Sequence, residues 1–478
     1  MTEPTAGARR GSSMLAGSGV LLGGRLVVAA LGWAGTLVVA RQLSPDDWGA
    51  YSLVFSLLGL VSLITDLRVG RLVLGELLEA GEAGGPVIGS YLTMRLALGV
   101  VGYGWAMVVV VVGDFPRQVV VATAVTGVVL VLGAADASLD LFLSSRMWWR
   151  TQALAPVVGQ AVQLGLILAI AAGADGAGVG RYAATTVAFS AVAVGWKLAV
   201  IGRHMALRLR IEPARWRTWA REAWAVALGG AIAVAYFRID SLMLSQLDTL
   251  ESVGLYGVGY KFSDLAGFVA FAVCTPMFTL LVGSWPHDPA GFGRAFRQAF
   301  ALLVVGGVGL AAVFAVFALP LMETFYGARF GPASGAARLL MVGQAVNYLT
   351  TLCFFALLAA GRNRRYVVAA SAGLGLNVGL NLVLIPAASY RGAAAATVVT
   401  EVVVLAILGH AALALPGLRP LPWRMAGMSL LSAAVMGGAA ALVVGRLPWP
   451  LAALASGAVY LLGLAALGAG RAWRELSA

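Results

Sequence analysis

The stretch Gln42-Leu43-Ser44-Pro45-Asp46-Asp47-Trp48-Gly49-Ala50-Tyr51 lies between two apolar runs, and it occurs twice. With one residue inserted it returns as Gln246-Leu247-Asp248-Thr249-Leu250-Glu251-Ser252-Val253-Gly254-Leu255-Tyr256, again between two apolar runs. A second echo pairs Gly180-Arg181-Tyr182-Ala183-Ala184-Thr185 with Gly392-Ala393-Ala394-Ala395-Ala396-Thr397. The echoes share an offset of about 205–212 residues, as an internal duplication requires.

Working outward, the apolar runs on either side of these anchors fill most of the chain. Of its 478 residues 60% are hydrophobic and 11% charged, and the mean hydropathy is +0.89. A soluble domain is about 45–50% apolar and about 25% charged, so this composition cannot hide its apolar surface in water. A helix needs about 20 apolar residues to cross a hydrocarbon core of about 30 Å. Fourteen segments qualify, at residues 15–40, 47–67, 88–113, 119–143, 153–173, 180–201, 224–247, 253–283, 298–320, 338–360, 366–386, 392–415, 425–445 and 449–470.

The fold class that follows is an all-α polytopic membrane protein with about 14 transmembrane helices. Segments 7–12 repeat segments 1–6 in the same direction, which makes two six-helix lobes related by a pseudo-twofold along the membrane normal, the arrangement of a transporter with a central cavity. The expected organisation is an N-terminal lobe over 1–201, an Arg-rich cytoplasmic linker over 202–222, a C-terminal lobe over 223–415, and two further helices with a tail over 416–478. Arginines in alternate loops number 21 on one side and 7 on the other, which places both termini in the cytoplasm and demands an even number of spans.

The net charge of +12 has this topological origin, so no nucleic-acid partner is inferred. Cys274 and Cys353 lie in apolar segments without a CxxC pair, and His204, His287 and His410 are scattered, which leaves no metal site and no hydrolase motif. There is no phosphate-binding loop for ATP, and no cofactor is expected. Drive must come from H+, Na+ or the membrane potential.

Charged residues inside the apolar segments carry the functional reading, because each costs about 2.5–3.5 kcal/mol at helix-centre depth. Arg25 is near the middle of the first segment. Arg238 and Asp240 lie on the seventh, Lys261 and Asp264 on the eighth. At a rise of about 1.5 Å per residue, Arg238 and Lys261 both lie about 13 Å below the outer ends of their helices. Arg25, Arg238 and Lys261 are therefore the candidate binding site for an anionic group. Asp240 and Asp264 either couple transport to a cation or neutralise these neighbours. Asp136 and Asp140, four residues apart, can relay protons or bind a cation, or Asp140 can pair with Arg146. Glu401 is a lone acid inside its segment and a coupling candidate. Asn377, Asn381, Gln160 and Gln163 suit hydrogen bonding between helices, and Arg95 and Asp66 suit snorkelling at the inner interface. The doublet Asp46-Asp47 could be acids of a membrane glycosyltransferase, yet Ser44-Pro45-Asp46-Asp47 is also a helix start, with a Ser cap and acids at the positive end of the dipole.

Several segments taken in order resemble the polysaccharide transporter family of the multidrug/oligosaccharidyl-lipid/polysaccharide exporter superfamily. They are Ala40 to Pro45 with Gly49 to Ser52, Arg238-Ile239-Asp240 with Val253 to Tyr256, Tyr326-Gly327 with Phe330, and Asn377 with Asn381 to Pro386 followed by Gly392 to Thr397. The resemblance covers residues from about 14 to 415. It implies a rocking two-lobe flippase that moves a polyprenyl-pyrophosphate-linked oligosaccharide to the outer leaflet, with a cationic cavity for the headgroup. It also implies membrane lipids and the lipid-linked glycan as partners, with a glycan polymerase or glycosyltransferases nearby. A lipid II flippase and a drug/cation antiporter of the same superfamily are the alternatives, with a membrane glycosyltransferase as the reading from a different class.

Overall fold

A computed structural model describes residues 6–173 and 178–477. Among them the chain is helical, and the predicted segments fall on α1 (Ala6–Gln42), α2 (Pro45–Asp66), α4 (Gly85–Val112), α5 and α6 (Arg117–Thr126, Val128–Ser145), α7 (Trp149–Ala172), α8 (Val179–Gly202), α9 (Pro213–Leu247), α10 (Leu250–Ser284), α11 (Pro289–Tyr326), α12 (Ser334–Ala359), α13 (Asn363–Leu413), α14 (Trp423–Val443) and α15 (Trp449–Ala466). The short α3 (Gly70–Ala80) and α16 (Ala469–Ser477) lie outside those segments. Among the described residues eleven helices are long and apolar enough to cross a membrane by length and composition.

The eleventh and twelfth predicted segments are the two helical halves of α13, which meet at a reversal. Ala388 (φ −143°, ψ 17°) and Ser389 (φ 55°, ψ −142°) leave the helical region just after Pro386. A serine at positive φ is strained, and its hydroxyl is held by Asp248 and, at 2.9 Å, by the Ser252 hydroxyl. Gly392 sits so close to the Leu384 carbonyl that a Cβ would not fit, which explains the glycine in that repeat.

The chain divides into two compact units, residues 1–238 and 239–478. In the first, α1 packs on α7 through Gly24, Gly32 and Gly35, which face Ala153, Gln160 and Ile167. The missing side chains let the backbones approach, as is usual where lipid supplies no hydrophobic drive. A core of Val73, Leu77, Tyr91, Phe142, Ile201 and Trp219 closes its other end. Trp219 and its neighbour Trp216 come from the Arg-rich stretch expected to be a linker. From Pro213 onward that stretch is instead the first part of α9. Trp216 Nε1 donates to Ser90 Oγ (3.0 Å) and Trp219 Nε1 to Glu76 (2.6 Å), because an indole N–H that is buried must find an acceptor.

In the second unit Phe292, Phe296, Phe300, Tyr348 and Leu352 form the core among α10, α11, α12 and α13. The last two long helices, whose role the repeat leaves open, pack on α11. Tyr460 fits beside Gly309 and donates to the Val305 carbonyl (2.7 Å), and Met425, Met428 and Leu464 surround Ala301.

Candidate functional site

The two repeated stretches open α2 and α10 in the same way. Ser44 Oγ accepts from the Asp47 amide (3.1 Å), and Thr249 Oγ1 accepts from the Ser252 amide (3.2 Å). Each satisfies an amide that a helix start leaves without a partner. Ser44 also donates to the Asp47 carboxylate (2.9 Å), so this acid serves the cap.

About two turns beyond the cap of each helix a tyrosine enters a polar cluster. In the second unit Tyr256 donates to Asp240 Oδ2 (2.6 Å), Thr397 Oγ1 donates to the same oxygen (3.0 Å), and Asn381 Nδ2 donates to Asp240 Oδ1 (2.7 Å). Asn381 Nδ2 also donates to Asn377 Oδ1 (3.0 Å). Asp240 is 2% exposed, Asn381 is fully buried, and α9, α10 and both halves of α13 supply the cluster. Asn381 Oδ1 is a buried acceptor with no donor among the described residues. The Asp240 carboxylate is thus held by neutral hydroxyl and amide donors, which satisfy it as a buried polar group must be.

In the first unit Tyr51 lies beside Thr186, Gln163 Nε2 donates to Thr186 Oγ1 (3.1 Å), and Gln160 Nε2 donates to Gln163 Oε1 (2.9 Å). The scaffold is the same, a tyrosine from the second helix, a threonine from the sixth and an amide pair from the fifth, but no acid is part of it. Its charge lies elsewhere. Fully buried Lys197 on α8 reaches Asp136 (2.7 Å) and Asp140 (2.6 Å) on α6, and Arg25 adds its field at Asp140. The expected pairing of Asp140 with Arg146 does not form. Arg146 instead donates to the Gly81 carbonyl (2.8 Å) and lies over the Phe142 ring. Lys197 escaped the sequence reading because it lies near a helix end, where a lysine passes for a topological charge. Its signal was that Lys197 and Lys261 are the chain's two lysines among many arginines.

Of the cations expected to bind an anion, Arg25 and Lys261 are exposed and Arg238 is half-buried. Lys261 and Asp264 share an exposed face of α10, one turn apart. Glu401, 3% exposed, accepts from Asn347 Nδ2 (3.1 Å), and the amides and hydroxyls continue through Gln344 to Ser263. Arg95 does not snorkel. It is buried and bridges to Asp66 at 2.6 Å, since α4 carries it inward.

Long apolar helices that bury carboxylates among polar side chains define the class, a polytopic membrane protein built as a transporter. Residues 38–334 match the polysaccharide biosynthesis protein family, and the chain belongs to that family. No curated protein sequence matches the chain. Among solved structures it shares its fold with a lipid II flippase, MurJ, in an inward closed conformation, at 14% identity and a TM-score of 0.76 over 97% of this chain and 100% of that one. A multidrug resistance MATE family transporter of the MOP superfamily is also similar. Its inward-facing form gives a TM-score of 0.67 at 14% identity over 84% of this chain and 95% of that one. Its outward-facing form gives 0.56 at 13% identity over 85% and 95%.

Proposed function

We propose that the protein flips a polyprenyl-pyrophosphate-linked oligosaccharide across the cell membrane by alternating access, in surface polysaccharide biosynthesis. Family membership together with the shared transporter fold carries this reading. It supports a carrier over a glycosyltransferase, and the hydrogen bonds between Ser44 and Asp47 give one acid of the Asp46-Asp47 doublet a capping role. The Arg bias supports cytoplasmic termini in the plasma or inner membrane. A polymerase or glycosyltransferases acting on the same glycan are the proposed partners.

In this reading Arg25, Arg238 and Lys261 bind the pyrophosphate, whose charge makes each contact stronger than a neutral hydrogen bond. Asp240 holds the coupling cation, H+ or Na+. The burial of its carboxylate among neutral partners supports Asp240 ahead of Glu401 and ahead of Asp136 and Asp140, which share Lys197. Asp264 balances Lys261.

Flipping by purified protein in proteoliposomes, under imposed pH or Na+ gradients, tests both parts. Wild type should respond to one gradient, Asp240→Asn should lose that response, and Glu401→Gln should keep it. Neutralising Arg25, Arg238 or Lys261 should slow flipping with expression unchanged. Drug extrusion without lipid flipping would reject the cargo. Lipid II as the cargo is the second reading, favoured by the full-length fold match, and rescue of a strain depleted of its lipid II flippase separates the two.

A further inference from the structure

Where α12 gives way to α13, a pocket of about 590 Å³ opens among Arg362, Arg364, Arg365, Val368, Ile407 and His410. The fold creates it. The reversal at Ala388 and Ser389 brings the last turn of α13, with His410, back beside the first, with Arg364 and Arg365. Neither turn alone has a concave surface.

Three features of the pocket point to one kind of occupant. Among the described residues no carboxylate forms an ion pair with any of the three arginines. The N-cap of α13 is Arg362, with no side-chain cap, so first-turn amides add to the positive field. The wall is apolar, and Val368 (58% exposed) and Ile407 (37%) are open in the manner of residues that face lipid. Arginines placed for topology alone need no pocket. A site for a free anion needs no apolar wall. We propose that this pocket binds an anionic phospholipid of the leaflet that the Arg bias assigns to the cytoplasm, its phosphate on Arg362, Arg364 and Arg365 and the start of its acyl chains on Val368 and Ile407. Guanidinium groups are suited to this by their paired donors, and the site is independent of which cargo the protein moves.

The test uses delipidated full-length protein in neutral detergent, titrated with phosphatidylglycerol, phosphatidylcholine, glycerol phosphate or inorganic phosphate, and read by thermal unfolding and by native mass spectrometry. Phosphatidylglycerol should bind and raise the unfolding temperature, and the variant with Arg362→Gln, Arg364→Gln and Arg365→Gln should bind it about tenfold more weakly. A variant of equal charge loss, Arg203→Gln with Arg294→Gln and Arg471→Gln, should bind as wild type. Ile407→Trp fills the pocket without changing charge and should also weaken binding, which protects the test if the triple variant does not fold. Equal binding of phosphatidylcholine, equal loss in both triple variants, or full stabilisation by either soluble phosphate would overturn the proposal.

Discussion

The polar clusters around Tyr51 and Tyr256 have the same frame and differ in charge. Both take a tyrosine from the helix that follows a Ser or Thr cap, a threonine, and an amide pair. Only the second contains a carboxylate, Asp240. In the first unit two acids on α6 share one buried lysine. A duplicated frame thus keeps its packing and hydrogen-bond geometry in both halves while ionisable chemistry is placed differently in each. The likeness is structural, and the difference is where coupling should be sought.

Substitutions at matched positions sharpen that comparison. Asp240→Ala removes the acceptor of the buried Tyr256 hydroxyl and one of the two acceptors of the Asn381 amide, while Thr397 keeps the Ala393 carbonyl; at about 1–3 kcal/mol for each buried donor left unpaired it should destabilise the second unit by about 3 kcal/mol. The matching Gln163→Ala should cost about 1–2 kcal/mol, with both read from unfolding in detergent. Equal losses would mean that the carboxylate is no more than another acceptor.

Lys197→Met should cost about 2 kcal/mol, less than a fully buried pair would, because Asp136 and Asp140 remain about one-third exposed and can take up water. Adding Asp136→Asn and Asp140→Asn should restore most of the loss. A failure to restore it would show that Lys197 packs rather than neutralises.

Gly180 and Gly392 occupy echoed positions in the two repeats, yet only Gly392 has a backbone carbonyl against it, and nothing lies within 4 Å of a Cβ at Gly180. Gly392→Ala should cost about 1–3 kcal/mol and Gly180→Ala next to nothing, as thermal melts would report. The smallest difference between matched positions should be at the caps. Ser44→Ala and Thr249→Ala each remove a cap worth about 1 kcal/mol, and unequal losses would mean that one cap also supports its neighbouring corner.

Much of this was legible in the chain. The periodic apolar runs placed the helices, and the returning cap stretch placed the repeat, because a helix start needs a side-chain acceptor at a fixed distance from its amides. Asn381 and Gln163 were readable as bonds between helices for a similar reason, since an amide in an apolar segment must find a partner, whereas Gln160 and Asn377 bond to them within the same helix. Asp240 was visible as an acid at depth, but its partners were not, since they come from α10 and α13, up to 157 residues away along the chain. Arg95 was misread because snorkelling and a buried bridge to Asp66 look alike in one dimension.

The sequence by itself determined the solvent of this protein, its helices and its duplication, because hydropathy, capping and repetition are local properties written along one chain. Tertiary structure alone decided which acids share Lys197 and which is held by neutral donors. It also decided that the Arg-rich stretch after α8 packs through two tryptophans, and that α13 turns back to build a basic pocket. These depend on which helix faces meet, and a face acquires its electrostatic meaning only from the groups that packing brings against it.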